Sequence, residues 1–220
     1  ETSVKEAEKK EAKSLSDDFS GMLKLIILPL VIVFIGCAFF YVLIEQSIMS
    51  WLPTFNKDVI KLNTSLSIQM ASIMSASIAL GRFLAGMLLR KIEWIYVLSG
   101  CLLAAAGLVL ITVPLTGSIS GQTISHLRDV PMVAYAFPLI GLFLAPVYPA
   151  INSVILSNLP AHKHASMSGL IVVFSALGGT TGSIITGHIF EAWGGQTAFY
   201  FSLGPICRLM VLFYIFKKKQ

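Results

Sequence analysis

Six long apolar runs fill almost the whole of this chain, and short polar loops separate them. The clearest is Pro131 to Ala161, which contains no Asp, Glu, Lys or Arg. Ile95 to Thr123 and Ala165 to Phe190 are equally free of charge, and Leu25 to Ile44 and Leu62 to Gly81 are shorter examples. About 20 apolar residues in a helix cross a hydrocarbon core. A soluble core has no room for this much apolar surface in 220 residues. The chain is therefore read as a polytopic membrane protein.

Composition supports that frame. Hydrophobic residues make up 55% of the chain and charged residues 12%, where ordinary globular domains carry roughly 25% charged residues. Mean hydropathy is +0.81. In lipid every backbone N–H and C=O must be paired within the protein, so the spans are expected to be helices. A barrel would need strands that alternate polar and apolar residues, and these runs are apolar all round.

The net charge is +5, but the Lys and Arg residues sit at span ends, where they set orientation, and do not form a nucleic-acid surface. Cys37, Cys101 and Cys207 all lie inside apolar runs. They lack CxxC spacing and His neighbours in ligand register, so neither a metal nor a cofactor is expected. Residues 1–20 are polar and mix Lys with Glu and Asp. The i,i+4 pair Glu6 and Lys10 allows a short surface helix, and a disordered tether fits equally well. No basic stretch followed by a small-residue cleavage site appears here, so residues 1–22 are read as a linker from a longer protein and not as a signal peptide.

The spans are expected at about Met22–Trp51 (ended by Pro53), Leu66–Leu89, Ile95–Leu115, Val130–Leu156, Met167–Phe190 and Thr197–Phe216. With six crossings both ends lie on one side. That side collects Lys5, Lys9, Lys10, Lys13, Lys24, Arg90, Lys91, Lys163 and the three terminal lysines, whereas the other has Lys57, Lys61 and Arg128. The excess of positive charge places both termini in the cytoplasm. Trp51, Trp94 and Trp193 fall at span ends, as residues of an interfacial belt do.

Several residues break the apolar pattern. Glu45, followed by Gln46, lies in the outward half of span one. A carboxylate in hydrocarbon costs ~2.5 kcal/mol or more unless it meets water, a partner or a proton. It either lines a polar cavity or bonds a neighbouring helix. Tyr41 is one turn away on the same face. Span four carries Pro138, Pro146 and Pro149, which break the helix, and a broken helix is tolerated only against protein or a water-filled cavity. Tyr148 and Asn152 share a face of it, and Asn152 calls for either an interhelical bond or a polar ligand.

Span five has small residues every four positions (Ser175, Gly179, Ser183, Gly187) with Gly178, Gly182 and Thr186 beside them. Such rows let helix backbones approach closely, either as fixed packing or as a surface that repacks during a conformational cycle. Span two repeats the theme with Ala71, Ser75 and Ala79. Its Arg82 lies two turns from Arg90 and Lys91. It either snorkels to the interface or pins the helix ends in one conformational state. Arg208 lies ~12 Å inside span six by helical rise, and it either snorkels or pairs with an acid elsewhere. His188 is read as interfacial. The HExxH, GxSxG and GxxxxGK[ST] motifs are absent, which disfavours an enzyme or an ATP-driven pump.

Four segments carry a resemblance. FFYVLIEQSIMSWLPTF in span one, IALGRFLAGMLLRKI in span two, GLFLAPVYPAINS in span four and SALGGTTGSIITGHIFEAWG in span five resemble the second half of a major facilitator superfamily transporter. Within that superfamily they are most similar to the fucose/glucose–galactose:proton symporter group. The match runs over residues 23–216. GRF…LLR looks like the second-half copy of the superfamily's cytoplasmic loop motif without its acidic residue. Glu45 matches an acidic or amide position of the group's seventh helix, and Arg208 matches nothing in its last helix.

The resemblance implies an all-α six-helix bundle, residues 23–220, built from two inverted three-helix repeats and preceded by the end of a central cytoplasmic loop, residues 1–22. It implies a missing N-terminal six-helix half as partner, with a solute site near the bilayer midplane between halves. The solute-binding candidates are Tyr41, Glu45, Gln46, Tyr148 and Asn152; the conformational candidates are Arg82, Arg90, Gly178, Gly179 and Gly182. The expected function is alternating-access transport of a small polar solute in a plasma membrane, a bacterial inner membrane above all. Sugar with proton symport is favoured by the resemblance alone. A drug, peptide or organic-anion facilitator, or a non-transport structural or sensory subunit, is the alternative.

Overall fold

The computed structural model describes residues 26–118, 124 and 126–219. The expected linker 1–22, its Glu6–Lys10 pair and the expected start of span one at Met22 lie outside these residues. Among the described residues nine α-helices follow in order: α1 (Pro29–Met49), α2 (Leu52–Asp58), α3 (Thr64–Leu88), α4 (Trp94–Leu115), α5 (Met132–Leu144), α6 (Val147–Ser157), α7 (His164–Trp193), α8 (Gly195–Phe201) and α9 (Leu203–Lys219). Among the described residues they compose six stretches long and apolar enough to cross a membrane, with α1–α2, α5–α6 and α8–α9 each forming one stretch.

Span one does not end at Trp51 or Pro53. The helix turns at Ser50–Trp51 and continues as α2 to Asp58. Pro53 falls in the first turn of α2, where its missing N–H would have had no helical partner anyway. Trp51 consequently does not lie at the end of its stretch, which runs to Asp58. Its indole Nε1 donates to the Ser183 carbonyl at 2.9 Å, and its ring stacks on Phe190 at 5.4 Å. Span four breaks at Pro146 alone: α5 ends at Leu144, and α6 restarts after Ala145–Pro146 with Pro149 in its first turn, whereas Pro138, expected to break the helix too, lies inside an unbroken α5. Gly194 (φ 84) makes the turn between α7 and α8, a backbone region that only glycine enters at little cost.

Packing is exchanged between the two halves of the bundle. α1 packs chiefly on α7 and α9, the fifth and sixth spans, while α5 packs chiefly on α3 and α4, the second and third. Each leading span thus embraces the two trailing spans of the other triplet, as two-fold related three-helix repeats require. The seams rest on glycine. A Cβ on Gly178 or Gly182 would lie 2.3 or 2.4 Å from the Phe39 or Leu43 carbonyl oxygen of α1. One on Gly81 of α3 would lie 2.1 Å from the Leu142 oxygen of α5. Backbones that touch leave no space for a methyl group, which is how helices gain contact area in lipid.

At the α2 end, Phe55, Phe137 and Phe199 from three spans form a fully buried aromatic cluster with centroids 4.2 to 5.6 Å apart. The two loops at that end are tied by an isolated bridge between Leu62 and Ile124, with Asn63 N–H donating to Ile124 O (3.0 Å) and Ile124 N–H to Lys61 O (2.8 Å). At the opposite end, Trp94 sits edge-on to Phe213 and Phe216, and Lys217 pairs with Glu93.

Candidate functional site

Polar side chains meet where α1, α6 and α7 converge at mid-span. Glu45 lies near the middle of the continuous Pro29–Asp58 stretch. The hydroxyl of buried Tyr41, one turn away, donates to its Oε1 at 2.9 Å. The Tyr41 ring stacks on Tyr148 of α6, with centroids 5.7 Å apart and planes 25° apart. The Tyr148 hydroxyl accepts from Ser175 Oγ of α7 at 3.2 Å. Three helices are therefore joined by one chain of polar and aromatic contacts. The ring stacking adds ~0.5–1.5 kcal/mol to plain burial, and the Tyr41–Glu45 bond gives a half-buried carboxylate a donor.

Asn152 lies one turn beyond Tyr148 on the same face of α6. Its Oδ1 is buried and has no hydrogen-bond partner among the described residues. A buried amide oxygen without a donor costs ~1–3 kcal/mol, so this acceptor is a place where a donor from solute, water or another part of the protein would be stabilised.

Gln46 is about 100° around α1 from Glu45, so the two adjacent candidates have different neighbours. Gln46 accepts from Ser50 Oγ at 3.2 Å. It opens on a cavity of about 510 Å³ lined by Val42, Ser50, Ser175, Gly179, Thr180 and Ser183, among others. Ser175 borders this cavity and also bonds Tyr148, so it joins the two polar regions. The hydroxyls of Ser175, Thr180 and Ser183 were not expected as site residues. Spacing marks Ser175 and Ser183 as packing residues, and only their placement beside Gln46 distinguishes a hydroxyl that lines a cavity from one that fills a seam.

The conformational candidates separate into two groups. Gly178 and Gly182 are buried in the seam between α1 and α7, whereas Gly179 faces Gln46 and Val42 at 3.1 and 3.3 Å for a Cβ placed there. Arg90 is exposed beyond the end of α3, and Arg82 is exposed on that helix. Arg208 is exposed on α9 with its guanidinium 6.0 Å from the centre of the Phe40 ring, a cation–π arrangement. His188 is exposed near the end of α7.

Six membrane-length helices, triplets that exchange partners and a polar wall at mid-span define a helical membrane protein of the solute-carrier kind. The profile of the Major Facilitator Superfamily matches residues 1–180, and the chain belongs to that family, whose members are transporters and not enzymes. In fold it is similar to the E. coli fucose:proton symporter FucP, with a TM-score of 0.71 and 19% identity. That alignment covers 90% of this chain and 45% of the symporter, so the chain spans about half of that structure. No curated protein matches the sequence.

Proposed function

We propose that this chain forms the C-terminal half of a secondary transporter and supplies one wall of its solute path. The observation that carries the reading is the Tyr41–Glu45–Tyr148–Ser175 cluster at mid-span. It supports the reading because an ionisable carboxylate, two phenols and a hydroxyl lie near mid-span, and folds of this kind enclose their cargo near the bilayer midplane. The N-terminal six-helix half would be the partner. Residues 1–22 would end the loop that joins the halves. Both termini of this chain would be cytoplasmic in a bacterial inner membrane.

The solute is a small polar one, and a sugar carried with protons fits best. Ring hydroxyls match a wall that offers carboxylate, phenol, amide and hydroxyl groups. Glu45, Gln46, Tyr148 and Asn152 contact the solute, Tyr41 holds Glu45, and repacking of the Gly178–Gly182 seam and of Gly179 against Gln46 accompanies the rocking of the halves. Arg90 acts at the cytoplasmic end of α3. The test is uptake of labelled sugars by the full-length protein with simultaneous pH recording. Glu45→Ala is expected to abolish uptake and Arg208→Ala to retain it. Undiminished uptake in Glu45→Ala would remove that carboxylate from the path. Uptake of an organic anion or a drug, with no sugar carried, would replace the sugar assignment.

A further inference from the structure

The register of Arg82 gives it a place other than the helix end. The stacked rings set Tyr41 and Tyr148 at one depth. Glu45 is one turn from Tyr41 toward the α2 end, about 6 Å away. On the other side of the bundle, Gly81 packs against Leu142 and Ala145, which precede Tyr148 by about one turn in the same direction. Glu45 and Arg82 therefore lie at the same depth, on α1 and α3. Arg82 also lies on the polar edge of α3. The arc it shares with Ser72, Ser75 and Ala79 is exposed and carries two hydroxyls beside one large apolar residue, Ile68, whereas the opposite exposed edge, formed by Ile73, Leu80, Leu84 and Leu88, is apolar throughout and suits lipid better. Among the described residues no ion pair joins Arg82 to the Glu45 carboxylate. Arg208 belongs elsewhere: its contact Phe40 is on the far side of α1 from the edge between Glu45 and Gln46, about half a helical turn around.

We infer that Glu45 and Arg82 form an opposed charge pair across the open face of this half, and that the pair selects a polyhydroxylated solute of no net charge. This rests on the reading that the face lines the solute path. A carboxylate only accepts hydrogen bonds and a guanidinium only donates them. A hydroxyl does both, so a neutral polyol serves the two sides at once. An anion gains at Arg82 and is repelled at Glu45, and a cation the reverse. The wall carries no net charge with which to favour either.

The test uses the purified full-length transporter with four probes of one shape: D-galactose and L-fucose as neutral sugars, D-glucuronate as anion and D-glucosamine as cation. The native protein is expected to bind a neutral sugar at least 10-fold more tightly than either charged probe. Glu45→Gln should raise the glucuronate-to-galactose affinity ratio at least 10-fold, and Arg82→Gln should raise the glucosamine-to-galactose ratio similarly. Charge preference unmoved by both substitutions would overturn the inference.

Melting temperature supplies a second readout that needs no solute. Glu45→Gln and Arg82→Gln should each lower it, because each leaves the other charge uncompensated. The double variant should melt higher than the sum of the two losses predicts. Additive losses would refute the pairing. If no probe binds while the losses are non-additive, the pair stands, and both its selectivity and the sugar reading fall.

Discussion

Tyr148 carries more of the candidate site than any other single side chain, because its ring and its hydroxyl serve different neighbours. Tyr148→Phe keeps the stack on Tyr41 and removes the acceptor of Ser175. A hydrogen bond of this kind contributes ~1 kcal/mol. Solute affinity of the full-length protein is expected to fall about 5-fold with little change in melting temperature. Equilibrium binding by the purified variant checks this, and unchanged affinity would show that the hydroxyl faces no solute. Trp51→Phe is the structural counterpart. It keeps an aromatic ring for Phe190 and loses the bond to the Ser183 carbonyl. A lower melting temperature with solute affinity intact is expected, and lost affinity at native stability would give Trp51 a role in binding.

Which residues deserved notice was legible in the sequence, because a Glu, a Tyr or an Asn in a long apolar run is costly and stands out. Their partners were not. The Tyr41–Glu45 bond follows from i,i+4 spacing on one helix, but the Tyr41–Tyr148 stack joins positions more than a hundred residues apart. Gln46 reads as Glu45's companion along the chain, whereas the helical turn of about 100° sends it toward α7.

At the scale of elements, the glycines divide into those that permit a seam and those that do not. A Cβ on Gly182 would meet the Leu43 carbonyl oxygen at 2.4 Å and Ser47 Oγ at 2.9 Å, whereas one on Gly204 or Gly86 would meet nothing within 4 Å. Gly182→Ala is expected to lower stability by ~1–3 kcal/mol through overpacking. Gly204→Ala is expected to be neutral or slightly stabilising, since alanine favours the helix. Thermal melting of both variants in one detergent checks the contrast, and equal stabilities would mean that α1 and α7 do not touch as described. The GxxxG-like row of α7 advertised its seam in the sequence. The α3–α5 seam did not, because its glycines, Gly81 and Gly141, lie on different helices and form no row on either. The helix breaks were legible where three prolines cluster in span four. In span one Pro53 misled, since a proline in a first turn starts a helix as readily as it stops one.

The molecule as a whole presents two kinds of exposed surface on its helices, and the account depends on telling them apart. On α7, Thr180 borders the polar cavity beside Gln46. On α4, by contrast, Leu103 and Leu110 share an exposed face that is apolar (57% and 55%). The number of spans and their order were readable from hydropathy alone, because lipid leaves the backbone no choice but helix. Which side of each helix faces solute, lipid or the other half was not, because that is set by contacts between distant spans.

Cysteine accessibility in the full-length protein separates these surfaces most directly. After replacement of Cys37, Cys101 and Cys207, single cysteines at Gln46, Thr180, Leu103 and Leu110 are exposed to a membrane-impermeant thiol reagent in sealed vesicles. The first two are expected to react and to be protected by a transported sugar, and the last two to remain unlabelled. Equal labelling of all four, or protection at none, would contradict the claim that this half lines a solute path.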